Sequence, residues 1–372
     1  MRRNFLKIFT GIILAIFVGC SASTAGESVS FFMYNGKWGV INGKREIVIP
    51  PEYDFIRYNG SYYICEFLWS HENGRPNYTV FSKEKNILYQ GNSHVVPVSK
   101  KYFQTGDCIT NVRKNEENQD TKLKSFWEGN EDSSCYATNQ GYYKEDFKTP
   151  AVVPKSDQIH YFRTYPFRNG RAVAGVYIID KDEYDIQVID SKSNIICSDI
   201  AACTKTYSEG LLAATMNDGT SGFLDESGKL VFKCPFFVHY QTAGGAYVPP
   251  TVNGHFNEGK AVVETAENQW AIYDKSGKKY DWPDGVQKAN AAYASHVDGE
   301  EFKSGLLLVV KKENGTRKYG YIDHDCNLAI PCIFEQAFDF MNDFAIVRLN
   351  GTDGVIDREG NFYSAESIVN GK

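Results

Sequence analysis

Lys37-Trp38-Gly39-Val40-Ile41-Asn42-Gly43-Lys44, followed by Ile47-Val48-Ile49-Pro50-Pro51-Glu52-Tyr53-Asp54, is the stretch that decides the fold. Two short runs rich in β-branched and aromatic residues, separated by a Gly turn, read as paired strands. Pro50 and Pro51 offer no N–H to a ladder, so the second strand is expected to end there. The same pattern returns near the other end of the chain as Tyr319-Gly320-Tyr321-Ile322-Asp323 with Ile330-Pro331-Cys332-Ile333-Phe334. Shorter copies are Ser221-Gly222-Phe223-Leu224-Asp225, Trp270-Ala271-Ile272-Tyr273-Asp274 and Asp353-Gly354-Val355-Ile356-Asp357. Ile186 to Asp190, Tyr78 to Ser82 and Cys135 to Thr138 fit more loosely.

A second element precedes several copies. Phe167-Arg168-Asn169-Gly170 opens one, and Tyr207, Phe256, Phe302 and Phe340 open the next four at intervals of 40, 49, 46 and 38 residues. A fixed period of this size marks a stack of small supersecondary units. Within a unit, Asn-Gly, Glu-Gly and Ser-Gly supply the positive φ of tight hairpins. The Asp or Asn that closes the Trp-Gly strand can accept bonds from backbone N–H groups of the next turn. Trp38 brings a large apolar body, and Gly39 leaves room for a neighbouring backbone to approach.

These motifs resemble the WG-repeat family, whose unit reads roughly F-x-x-G-L-A-x-V, then K-W-G-Y-I-D, then G-K-x-V-I-P-x-x-Y-D. The resemblance covers residues 31–363, with a gap near 92–166. Its repeat-motif positions are Trp38, Gly39, Trp270, Gly320 and Gly354. It implies an interaction surface rather than a defined activity.

One three- or four-stranded unit cannot bury both its faces, so neighbours must stack. Radial stacking gives an all-β propeller of seven or eight units, the favoured reading; linear stacking gives an open β-solenoid. Residues 104–149 break the pattern, and the polar run from Arg113 to Lys124 reads as an inserted surface loop. Residues 364–372 read as a C-terminal tail.

Composition agrees. The chain has 372 residues, with 24 Tyr and 24 Phe beside 32 Gly and only 4 Met, a balance that favours strands and turns over helices. A net charge of −6 argues against a nucleic-acid partner. Coiled-coil and polytopic membrane classes are excluded by the same figures.

The first residues are of another kind. Arg2, Arg3 and Lys7 precede an apolar run from Ile8 to Val18, the pattern of a secretory signal. Gly19 and then Cys20 close it, which resembles a bacterial lipobox and implies cleavage between the two and acylation of Cys20. Residues 1–19 are then the signal peptide and 20–30 a lipidated flexible tether. Cleavage removes three cations and no acid, so the mature charge becomes −9. Attachment is therefore expected through acyl chains, on the cell envelope, rather than through a basic patch.

Eight cysteines remain, an even number that permits disulfides in an exported protein. Cys108 with Cys135 is one candidate pair and Cys197 with Cys203 another; buried thiols are the alternative. The histidines, His71, His94, His160, His239, His255, His296 and His324, fall in no metalloprotease motif, and no nucleophile elbow or P-loop occurs. No cofactor is implied. Asp180, Asp182 and Asp185, and Asp323 with Asp325, read as hairpin turns rather than Ca²⁺ ligands. The expectation is an exported, lipid-anchored binding or scaffolding module without catalysis, taking a protein or glycan ligand. The alternative is a glycosidase-like enzyme using acids such as Glu264, Glu267, Glu300 and Glu301. Trp69, Trp127 and Trp282 lie outside the repeat core, where they could stack on sugar rings or partner side chains.

Overall fold

A computed structural model describes residues 28–68, 76–114, 116–120, 126, 135–138, 140–240, 242–243, 246–289, 301–313 and 315–371. Gly19, Cys20, Trp69, His71, Trp127, His296 and Glu300 lie outside them.

The described residues form nine blade sheets in chain order, a separate two-stranded ribbon at 242–247 and one helical turn at the end; all strand pairs are antiparallel except Ile200–Cys203 with Thr251–Val252. The blades span residues 29–53, 55–91, 95–120, 136–152, 159–197, 200–233, 256–280, 286–334 and 336–364. Blades 1 and 4 have three strands and the others four; blade 6 gains two more from residues 238–252, laid beyond its first strand.

Each pair of neighbouring blades shares its own apolar cluster. Phe103 and Val95 of blade 3 pack on Tyr62 and Ile64 of blade 2. Tyr136 and Phe147 pack on Tyr102 and Ile109 between blades 3 and 4. The series continues through every later pair and returns from blade 1 to blade 2. The deciding cluster joins the two ends: Phe32 and Ile41 of blade 1 meet Phe344 and Val355 of blade 9. An open array of nine units has eight interfaces and this molecule has nine, so the architecture is a closed nine-bladed β-propeller and not a solenoid.

The expected seven or eight units are thus corrected to nine. The missed unit is blade 3, residues 95–120, inside the gap left in the resemblance near 92–166. Residues 104–149 are not an insertion: they carry strands of blades 3 and 4. Val29 and Ser30, assigned to the tether, already belong to the first strand (Val29–Tyr34).

Pro50 and Pro51 do not end their strand, which runs Ile47–Tyr53. The register jumps there, from Val40 opposite Ile49 to Trp38 opposite Tyr53, so the prolines occupy an unpaired bulge where a missing N–H does no harm. The bulge presses on Gly39, where a Cβ would lie 2.8 Å from Ile49 O and 2.5 Å from Phe32 Cε1. Gly320 faces the Pro331 bulge in the same way, 2.6 Å from Ile330 O. The Trp-Gly and Ile-Pro halves of the motif are therefore two sides of one steric fit.

The seam between blades 9 and 1 has no shared strand. Asn342 Nδ2 donates to Val29 O at 2.6 Å, the Ser30 hydroxyl donates to Met341 O, and the Ser28 hydroxyl donates to Asp343. The terminal residues are a clasp rather than a tail: helix α1 (Ala365–Val369), capped by Ser364, sinks Ala365 and Ile368 into the seam.

Candidate functional site

The motif tryptophans have parted company. Trp38 is buried, edge-on to Phe31, Phe55 and Phe338 at centroid distances of 5.1–5.7 Å. It walls an apolar cavity of about 190 Å³ beside the seam, bordered by the Lys303–Asp339 ion pair at 2.9 Å. Trp270, at the matching place in blade 7, is only half-buried and opens onto a cleft of about 450 Å³ between blades 7 and 8.

That cleft is built by two hairpins. The blade 7 hairpin contributes Asn268, Gln269 and Trp270; blade 8 contributes Gln287, Lys288, Val310, Lys312, Arg317 and Tyr319, with Trp282 on the link between them. Trp282 Nε1 donates to Trp270 O at 2.9 Å. This bond fixes the second indole and uses up its only donor, so Trp282 meets the cleft as an apolar surface. The Lys288 ammonium lies 3.9 Å from the Trp270 ring centroid, a cation–π contact.

The charge arrangement is the informative part. Across the strands Leu307–Glu313 and Thr316–Ile322, Lys311 faces Lys318 and Lys312 faces Arg317. Like charges set directly opposite each other in a sheet repel. Lys311 is neutralised by Glu313 at 2.7 Å and Lys318 by Glu335 at 2.8 Å. Lys312 and Arg317 have no carboxylate partner among the described residues, and both are exposed at the cleft. Their repulsion amounts to on the order of 1 kcal/mol or less in water, and a bound anion would relieve it.

Behind the cleft, buried Glu264 organises the blade 7 hairpin. Its Oε2 accepts from Asn253 Nδ2 at 2.8 Å and from the His239 ring at 2.7 Å, and its Oε1 accepts from Asn268 N at 3.2 Å. Burial pushes its carboxyl up, but the bonds from Asn253, His239 and Asn268 outweigh that and hold it below the ordinary value. Glu264 is therefore spent on its neighbours. Glu267 is exposed on the hairpin, and Glu301 accepts from Asn257 at 3.4 Å.

The other sequence candidates fall into turns. Asp323 Oδ1 accepts from the N–H groups of Asp325 and Asn327, and His324 lies 3.1 Å from Glu258. Asp182 accepts from Tyr177 and Asp185 from Ile186 and Gln187. Among the described residues no group of three His, Cys, Asp or Glu could hold a metal ion. Cys108 opens a strand of blade 3 half-buried, whereas Cys135 is buried between blades 4 and 5. Cys197 and Cys203 are free thiols between blades 5 and 6, and burial pushes the Cys203 thiol up to about 12.

Sequence reasoning singled out Trp270 and Trp282 but missed the cations around them. The signal was present: in Lys311-Lys312-Glu313-Asn314-Gly315-Thr316-Arg317-Lys318 a two-residue Asn-Gly turn sets Lys312 opposite Arg317.

The fold and its motifs define a β-propeller of short, stacked repeats. The family model described as WG containing repeat matches at two places, residues 38–64 and 319–352. No curated protein sequence matches the chain. Among solved structures, the chain is similar to a quinonprotein alcohol dehydrogenase-like protein from Bacteroides thetaiotaomicron, at 9% identity over 90% of this chain and 74% of that one, with a TM-score of 0.26. An uncharacterized protein from Listeria monocytogenes matches at 9% identity over 92% and 95%, TM-score 0.33. The β-propeller domain of the Trilobed protease from Pyrococcus furiosus matches at 12% identity over 83% and 95%, TM-score 0.23. The propeller assignment rests on the nine sheets and nine interfaces of this chain.

Proposed function

We propose that this protein is an exported, lipid-anchored binding module of the bacterial cell envelope, without catalysis, whose ligand is an anion held in the cleft between blades 7 and 8. The observation that carries this reading is the uncompensated pair Lys312 and Arg317 beside two tryptophans. A chain of mature charge −9 that keeps two unneutralised cations side by side presents a local positive site on an acidic body. The commitment of Glu264 to Asn253, His239 and Asn268 supports a supporting role for that acid rather than catalysis. Export and anchoring rest on the basic start, the apolar run and Gly19-Cys20.

Ligand binding to the folded state raises thermal stability. At low ionic strength, at least one of polygalacturonate, polyglutamate and triphosphate should raise the melting temperature, and added salt should abolish the shift. The double variant Lys312→Gln, Arg317→Gln should melt at or slightly above the wild type alone, because their mutual repulsion is gone, but lose the shift. Failure of all three anions to stabilise the protein would end this reading.

A further inference from the structure

We infer that the ligand of the blade 7–8 cleft is an acidic carbohydrate, a uronate-bearing oligosaccharide whose ring faces lie on the indoles and whose carboxylates meet Lys312 and Arg317; this rests on the anion-binding reading above. The cleft volume of about 450 Å³ falls within the roughly 300–1,000 Å³ of small-ligand clefts, room for a short oligosaccharide. Its lining combines three chemistries that such a chain needs at once. Trp282 turns an apolar, donor-free face to the cleft, because its N–H is already bonded to Trp270 O. Asn268, Gln269 and Gln287 are exposed amides, each able to donate and accept, as sugar hydroxyls require. Lys312 and Arg317 supply charge at the rim, with no carboxylate partner among the described residues.

Other anions fit less of this. A compact phosphate is usually cradled by backbone N–H groups at a helix N-terminus or nest, and this cleft is lined by side chains of strands and hairpins. It would leave both indoles without a role. The narrow side chains of an acidic peptide would meet the cations but cover little of the indole surface.

The test titrates the full chain in detergent with oligogalacturonate, its methyl ester, oligoglutamate and ATP, following tryptophan fluorescence and calorimetry. Oligogalacturonate should bind and perturb the fluorescence. The methyl ester, which keeps the rings and loses the charges, should bind at least about tenfold more weakly, as the loss of charge-assisted bonds predicts. Trp282→Ala and Lys312→Gln/Arg317→Gln should each weaken binding by about tenfold or more. Should Trp282→Ala misfold, the surface double variant and the ester contrast still decide. If oligoglutamate or ATP binds as well as oligogalacturonate, the carbohydrate assignment falls while anion binding stands. If none of the charged probes binds, both fall.

Discussion

At the scale of the residue, one motif position has two uses. Trp38 is packed among Phe31, Phe55 and Phe338, so Trp38→Ala should destabilise the fold by ~3–5 kcal/mol, as other core aromatic truncations do; an unchanged melting temperature would refute the packing role. Gly39→Ala drives a methyl against backbone and ring atoms at 2.5–2.8 Å and should cost ~1–3 kcal/mol by the same measurement. Both roles were legible in the sequence, because Trp brings a large apolar body and Gly leaves room for a close backbone; the proline bulge that presses on Gly39 was not, because Pro50 and Pro51 read as a strand end. The different fate of Trp270 was not, because burial depends on what the next blade brings, and blade 8 brings a cleft. Cys20 is a residue-scale proposal of its own. Cys20→Ser should abolish fatty-acid labelling and shift the protein to the aqueous phase in detergent partitioning; a wild type that takes up no label would overturn the anchor.

At the scale of the element, the recurring device is the carboxylate that closes a turn. Asp190, Asp225, Asp274, Asp323 and Asp357 each accept two backbone N–H bonds two and four residues on. Side-chain bonds from Asn194 and Ser227 hold Asp190 and Asp225 below the usual carboxylate range. In Asp274 and Asp357 burial pushes the other way but the hydrogen bonds prevail. A carboxyl lowered in the folded state stabilises the protein above its unfolded value, about 4. That contribution disappears as pH falls through the folded value. Acid unfolding should therefore begin below about pH 4. Asn42 makes the same two bonds in blade 1 without a charge, so Asp225→Asn with Asp274→Asn should leave stability at pH 7 nearly unchanged and make the acid-side loss shallower. Denaturant midpoints measured against pH decide this. The Asp and Asn endings were readable, since Asx side chains at strand ends have a local partner. Blade 3 was not recognised, although Ile109-Thr110-Asn111 ends the same way and Asn111 accepts from Arg113 N and Lys114 N. Its strands are short, and its core is carried by aromatics such as Tyr102 and Phe103 rather than by the Trp-Gly pair.

At the scale of the whole molecule, the ring closes by contact. The period of about 40 residues made stacking legible, but closure is a sum over every interblade rotation and no single segment encodes it. Helix α1 is the test piece: Ile368→Ala should cost about 2–5 kcal/mol, with hydrogen exchange rising first in residues 29–34 and 345–356, which line the seam. Uniform loss of protection around the ring would contradict a local clasp. A ring whose ends share no strand also has a mechanical direction. Tension on the two chain ends loads a few side-chain hydrogen bonds and one buried helix face, and no β-ladder spans the gap. Pulled that way, the molecule should unfasten at the seam like a bracelet at its catch, leaving its individual sheets whole, and re-form when the load is released.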